Sequence, residues 1–291
     1  AMGGGRGVVV DHRLACVGAG AMATALLRAW IAAELVRPQC VVAADIAPER
    51  RRIVEDELGI RSTDEAAAAV EGAQVILIAV KPQQVSDVLL EIRSNLASEA
   101  LVISIAAGVP LELLEERLGP GASVVRVMPN TPCLIGCSAS GLSAGRRVTS
   151  AQLELALKLF QAVGRAYVLP EDQLNAVTGL SGSGPAYVYL MIEALAEGGV
   201  AAGLSRKTAL GLAAQTVLGA ARMVLETSEH PAQLREAVTS PAGTTAAGLL
   251  ALEKGAVRAQ VIEAVLAAAA RAQELGSAVL KANRLEGSVH D

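Results

Sequence analysis

A doubly wound α/β domain followed by an all-α domain is the fold class this sequence predicts. From Arg13 to about Val127, short β-branched or apolar runs alternate with longer amphipathic ones, the pattern of βα units laid into a parallel sheet. Beyond Pro170 the strand signal stops, and helical periodicity rich in Ala, Leu, Glu and Gln continues to the end. The change of texture sets a domain boundary near residue 170, giving domains over 12–170 and 171–283. A chain of 291 residues holds two such domains and can bury a proper core without disulfide or metal staples.

Taken in order, the apolar run LACV predicts a first strand at 14–17, and the amphipathic stretch after it a helix at 22–36. VVAA gives a strand at 41–44, and Pro48 opens a helix at 48–58. A helical pattern over 64–70 precedes VILIAV, a strand at 75–80. Helix 85–96, strand 101–105, helix 111–118 and strand 124–127 complete the alternation. Segments 138–142 and 166–169 add strands at the edge, with a helix at 151–163 between them. In the second half Pro185 occupies the first turn of a helix through Val200. Ser205 caps a helix to Glu226, and a third runs over 256–282. Ala1 to Asp11, glycine-rich and without an apolar core, reads as a leader or expression remnant, and the polar end from Asn283 as frayed.

Composition excludes several function classes. With 25 basic against 29 acidic residues, nothing steers the surface toward nucleic acid or anionic lipid. No run reaches the roughly 18 uninterrupted apolar residues of a membrane span, so a soluble, non-membrane protein is expected. The four cysteines fit a reduced, cytoplasmic protein, and Cys133 and Cys137 lack a histidine that would make their spacing a metal site. Small residues dominate the helical half, whose flat faces suit a homodimer.

Gly18-Ala19-Gly20-Ala21-Met22-Ala23 follows the first strand at once and opens a helix, the context that makes a dinucleotide fingerprint informative. Gly18 makes the tight turn, Gly20 lets a pyrophosphate approach the backbone, and Ala23 is small enough for helix to pack on strand. The helix N-terminus offers N–H groups and positive dipole to the phosphates. Asp45, at the end of the second strand, is placed to accept hydrogen bonds from the adenosine ribose, which favours NADH. Arg50, Arg51 and Arg52 follow, and an arginine there suits the 2′-phosphate of NADPH or simply a solvated helix face, so both coenzymes stand. Two further strand ends border the cofactor in such a sheet: Ala79-Val80-Lys81-Pro82 and Ile105-Ala106-Ala107-Gly108. Lys81 reaches a ribose or phosphate, or else only solvent. Asn130, closing the next strand, either bonds the nicotinamide carboxamide or caps its turn.

Between His230 and Glu253 a nearly charge-free turn of hydroxyls and glycine (Thr239, Ser240, Gly243, Thr244, Thr245) lies between two helical stretches. Pro241 stops the first helix, Gly243 lets the backbone pass closely, and the next helix presents free N–H groups to the turn. Such a place suits a small anion, particularly a carboxylate. Histidine offers no rival chemistry, since His12 and His290 lie near the ends and His230 precedes Pro231 at a helix start. Trp30 belongs to the core or an interface.

Read together, GAGAMA, AVKP, SIAAGV, RVMPNTP, GLSGSGPAYV, EALAEGGV, AAQTVLGAA, EHPAQLREAVTSPAGTT and VIEAV, in this order from Leu14 to Leu280, resemble the pyrroline-5-carboxylate reductase family. The resemblance implies a Rossmann-type N-terminal domain and an all-α C-terminal domain that intertwines with its twin in a dimer, with dimers sometimes gathered into a decamer. It implies hydride transfer from NADH or NADPH to the C=N carbon of 1-pyrroline-5-carboxylate, giving L-proline in the last step of its synthesis. Thr245 would then hydrogen-bond the substrate nitrogen, while Ser240 and the backbone N–H groups through Gly243 and Thr244 hold the carboxylate. The sequence departs from the family at Ala242, where a second glycine is common, and at the alanine run 66–69, where a polar residue often lies near the adenine. A reductase of another cyclic imine or of keto acids on the same plan is the alternative.

Overall fold

The computed structural model describes residues 12–287, with side chains described to Ala282, so the glycine-rich leader lies outside the described residues. The chain forms two compact units. One runs to Gly182 and also takes in the chain from Ala268 onward, and the other is Ser183–Ala267.

The first unit is built on one eight-stranded sheet. Its strands are β1 (Leu14–Val17), β2 (Val41–Ala44), β3 (Arg61–Thr63), β4 (Val75–Ile78), β5 (Leu101–Ser104), β6 (Ser123–Met128), β7 (Ser138–Ala144) and β8 (Gly164–Val168). They lie in the order β3-β2-β1-β4-β5-β6-β7-β8, parallel except where β7 runs against β6. The chain therefore starts mid-sheet, builds outward through β2 and β3, and then crosses to β4 on the other side of β1. That crossing is the switch point at which doubly wound sheets bind ligands. In register, Val17 pairs with both Ala44 and Ile78, so the loops opened by Gly18, Asp45 and Ala79 leave the sheet side by side.

Alternation along β1 explains both layers. Leu14 and Cys16 face one core with α1 (Ala21–Ala32), α2 (Pro48–Leu58) and α6 (Ser150–Gln161), where Leu26, Trp30, Val54 and Phe160 are buried. Ala15 and Val17 face the other core, with α3 (Ala66–Val70), α4 (Val85–Ile92) and α5 (Leu111–Leu118). Trp30 is wholly buried, donates Nε1–H to the Leu159 carbonyl at 2.7 Å and meets Phe160 edge-on at 5.9 Å. Of the two places the sequence allowed it, this is the core.

Most strand and helix ends differ from the sequence reading by a few residues, and two helix ends and one strand differ for a clear reason. The first helix ends at Ala32, not Val36, because Glu34 turns left-handed (φ 56°) and so brings Leu35 and Val36 into the core. The helix expected over 85–96 stops at Ile92 and tightens into a 3₁₀ turn over Arg93–Asn95. β3 was not expected at all, since three polar residues at a sheet edge carry no apolar alternation.

After β8 the chain enters α7 (Leu174–Val177), still in the first unit, where Leu174 and Val177 crowd Gly141 of β7. The chain then winds into a π-helical turn, Thr178–Gly182, leading into α8 (Gly184–Ala201). The second unit adds α9 (Arg206–Thr227), α10 (Pro231–Ala237), α11 (Thr244–Lys254) and the first part of α12 (Val257–Gly287). Ser205 caps α9 by accepting from Thr208 N–H, and His230 caps α10 by accepting from Ala232 N–H through Nδ1. The buried residues of this unit's own core are small, Ala196, Ala209 and Ala213, with the partly buried Ile192 and Val200 packed against them. A Cβ on Gly199 would lie 3.1 Å from that of Ala209, so α8 and α9 approach closely. By length and composition α9 is apolar enough to cross a membrane, although it has no uninterrupted apolar run of that length. The end of α12 returns to the first unit, where Gly276 lies against the Gly108 carbonyl and Val279 and Leu280 join the second core.

Candidate active site

Five of the residues expected at the cofactor come together. Gly18, Gly20, Asp45, Val80 and Lys81 line one cavity of about 460 Å³ at the switch point. Gly18 sits at φ +93°, and a Cβ there would come within 2.8 Å of the Ala79 carbonyl, so only glycine fits. At Gly20 a Cβ would instead project into open space. Gly20 is the N-cap of α1 with no side-chain cap, which leaves the first N–H groups of that helix for a ligand. These features fit the pyrophosphate of a dinucleotide.

Asp45 holds the cradle together. Its Oδ2 accepts from Ala19 N–H at 2.7 Å and its Oδ1 from Ala47 N–H at 2.9 Å, tying the fingerprint loop to the loop after β2. Beneath it, Cys16 donates Sγ–H to the Gly18 carbonyl. Burial, aided by the Asp45 charge, pushes the Cys16 thiol up to about 12.

The other expected residues are not among those that line this cavity. Ala23 is buried as a packing contact, and Ala21 and Met22 form the first turn of α1, with Met22 Sδ accepting from Cys133 Sγ–H. Pro82 begins the 3₁₀ turn beyond Lys81. Ala107 is exposed, and Gly108 (φ +75°) borders a different hollow shared with Arg126 and Glu171. Asn130 is buried, and both ends of its amide are engaged within the fold. Nδ2 donates to the Ser181 carbonyl, while Oδ1 accepts from Ala139 N–H and Ser138 Oγ–H. It clasps the strand end to the π-helical turn, and its side chain does not cap the 3₁₀ turn (Thr131–Ile135) that it opens.

The sequence reading missed Gln84 and Val88, which line the cavity from the start of α4 and carry no motif. Ala66, from the alanine run, lines it too. A larger hollow, about 740 Å³, lies beside α5 and β7. Of its lining charges, Glu115 pairs with Arg146 and Glu171 with Arg126.

In the helical unit a turn does separate two helices here, but α10 ends at Ala237, before Pro241 can stop it, and Thr244 and Thr245 already belong to the first turn of α11. Thr239 closes α10, donating Oγ1–H to the Arg235 carbonyl at 2.6 Å. Gly243 is the N-cap of α11, again with no side-chain cap. A Cβ on Gly243 would fall on Ser240 Oγ, so glycine keeps that hydroxyl in place. Ala242, where the family favours glycine, sits at φ +56° and bears a left-handed strain. Ser240 and Thr244 are exposed and Thr245 is half-buried.

Residues 171–275 match the family described as pyrroline-5-carboxylate reductase dimerisation, and residues 13–108 the family described as NADP oxidoreductase, coenzyme F420-dependent. The chain is 46% identical to the pyrroline-5-carboxylate reductase of Methanosarcina acetivorans over 266 residues, which cover 91% of this chain and 98% of that protein. It belongs to the pyrroline-5-carboxylate reductase family. The Arabidopsis thaliana member is 44% identical over 91% of this chain and 96% of its own length. Among solved structures, a pyrroline-5-carboxylate reductase from Coxiella burnetii superposes with a TM-score of 0.87 at 39% identity, covering 91% of this chain and 98% of that one. The Plasmodium falciparum pyrroline carboxylate reductase, solved with NADP bound, gives 0.82 at 32% identity over 91% and 98%. The family's helical segment, 171–275, begins near the composition change at 170, whereas the compact units divide after Gly182.

Proposed function

We infer that this chain reduces 1-pyrroline-5-carboxylate to L-proline with NAD(P)H, the closing reduction of proline synthesis. Family membership over nine-tenths of the chain supports the reaction. The observation that carries the assignment of residues is the uncapped N-terminus of α11, set in a turn of hydroxyls and free of ionisable side chains.

In this reading the bound nicotinamide supplies the hydride, and Gly18, Gly20, Asp45, Val80 and Lys81 hold the dinucleotide. Ala21, Met22 and Ala23 give the helix N-terminus to its phosphates. Ser240 Oγ and the N–H groups at Gly243 and Thr244 bind the substrate carboxylate, as helix N-termini bind anions. Thr245 Oγ1 accepts a hydrogen bond from the iminium N–H and so orients the C=N bond. A threonine hydroxyl is a poor acid, but none is needed if the imine arrives protonated, because hydride addition then yields a neutral amine directly. Catalysis rests on orientation of well-held reactants.

The helical region is a dimerisation domain. We place the functional boundary near residue 170, take the homodimer as the working unit with the decamer as its higher assembly, and assign the enzyme to the cytoplasm. Initial rates on 1-pyrroline-5-carboxylate, piperideine-carboxylate and simple keto acids test the substrate. A clear preference for the five-membered imine is expected, and equal rates would sink the assignment in favour of a broader imine or keto-acid reductase.

A further inference from the structure

The loop after β2 contains the groups that decide between the two nicotinamide coenzymes, which differ only by a phosphate on the adenosine 2′-oxygen. Resting on the reductase reading above, we propose that this enzyme is selective for NADH, and that Asp45 is the residue that sets the choice.

The Asp45 carboxylate is fixed in place by Ala19 N–H and Ala47 N–H, one to each oxygen. A carboxylate has about four lone-pair positions, so two remain for hydroxyl donors at the cavity Asp45 lines. A ribose 2′-hydroxyl donates to such an acceptor. A 2′-phosphate, carrying about −2 charge and no donor, is repelled by it.

The arginines that kept NADPH open in the sequence are resolved by their positions. Arg51 directs Nη1 into the loop itself, donating to the Asp45 carbonyl at 2.7 Å and the Ile46 carbonyl at 3.3 Å. Arg50 borders the cavity, and Arg52 is not among its lining residues. Arg50 is accompanied there by Glu49, and the lining as a whole sets four carboxylates against two cations. A dianionic phosphate therefore meets one arginine within a negative surround. Ile46, next to Asp45 on the cavity wall and 79% exposed, adds no donor where a phosphate-binding side chain would be useful.

The test is equilibrium binding without substrate, read from the fluorescence of the reduced nicotinamide. NADH should bind at least about tenfold tighter than NADPH, the effect of about 1.4 kcal/mol of charge repulsion. The ratio should narrow as salt is raised, because the repulsion is screened. ADP-ribose and its 2′-phosphate, used as competitors, should show the same order. Asp45→Asn keeps an acceptor and removes the charge, so it should tighten NADPH and shrink the ratio. Asp45→Asn with Ile46→Arg should reverse it. Wild-type protein that binds NADPH as tightly as NADH overturns the proposal, as does an Asp45→Asn variant with the wild-type ratio. Because wild-type binding decides alone, a variant that fails to fold leaves the test intact. If neither dinucleotide binds, the reductase reading itself falls. If both bind and 1-pyrroline-5-carboxylate turns over best with NADPH, only the selectivity falls.

Discussion

Two side chains carry expectations that can be measured one residue at a time. Thr245 is the second residue of α11 and half-buried, and in the proposed reading its oxygen orients the substrate rather than protonating it. Thr245→Ala should lower kcat by about 10–100-fold, the worth of one hydrogen bond to a charged group. Steady-state kinetics decide it, and a loss beyond about 10⁴-fold would mean that the hydroxyl delivers a proton after all. Cys16 gives a prediction about stability. Its thiol is raised from 9.0 to about 12 in the folded state, first by burial and then by the Asp45 charge. Below pH 9 both states keep the proton and the stabilisation is fully present. Between pH 9 and 12 the unfolded chain releases a proton that the folded chain retains. Stability should therefore fall with rising pH by about 1.4 kcal/mol per unit from this one group. Urea unfolding at pH 8, 9, 10 and 11 should show little change from 8 to 9 and an approach to that slope above 9 in the wild type, with its removal in Cys16→Ala. Parallel curves would show that the thiol ionises freely in the fold.

At the scale of elements, Glu171 joins three that are far apart in sequence. Its Oε1 accepts from Leu111 N–H at the start of α5, at 2.7 Å, and from Arg126 Nη1 on β6, at 2.8 Å, while Glu171 itself follows β8. Arg126 is almost wholly buried and the Glu171 side chain is about a third exposed, so Glu171→Ala strands a guanidinium in the sheet layer. A loss of about 2–4 kcal/mol is expected, less than for a fully buried pair because water reaches the carboxylate. Chemical denaturation measures it, and a variant within about 0.5 kcal/mol of wild type, the range of an ordinary surface change, would show the pair to be idle. This clasp also marks the limit of what a sequence shows. The strands of the central sheet were legible because four-residue apolar runs such as VILI announce themselves locally, and Gly18 and Gly20 because a strand precedes them and a helix follows. β3 was not, since Arg61–Thr63 is polar and short. Nor were the contacts of Asp45 with Ala19, of Asn130 with Ser181 or of Glu171 with Arg126, because each joins residues dozens of positions apart. The 239–245 turn was readable as a turn from Pro241 and Gly243, whereas the left-handed strain at Ala242 needed coordinates.

At the scale of the whole molecule, the helical unit buries too little of itself to stand alone. Along α9 only Ala209 and Ala213 are fully buried, while Leu210, Leu212, Leu218, Met223 and Leu225 remain about half exposed. A helix apolar on nearly every side must be covered by something, and its place inside a dimerisation domain points to a second copy. Each such leucine buried in an interface is worth about 1.5–3 kcal/mol, so a two-fold interface that uses it twice doubles the effect. If a second copy covers α9, unfolding of the wild type is linked to assembly, and its melting temperature should rise with protein concentration. Replacing Leu212 and Leu218 together by Glu should break the assembly, lower the melting temperature and abolish its dependence on concentration. Sedimentation equilibrium and thermal unfolding over a hundredfold range of concentration read both effects. A Leu212→Glu, Leu218→Glu variant with the mass and melting behaviour of the wild type would show that this face of α9 lies outside the dimer, and the cover for those leucines would have to be sought elsewhere.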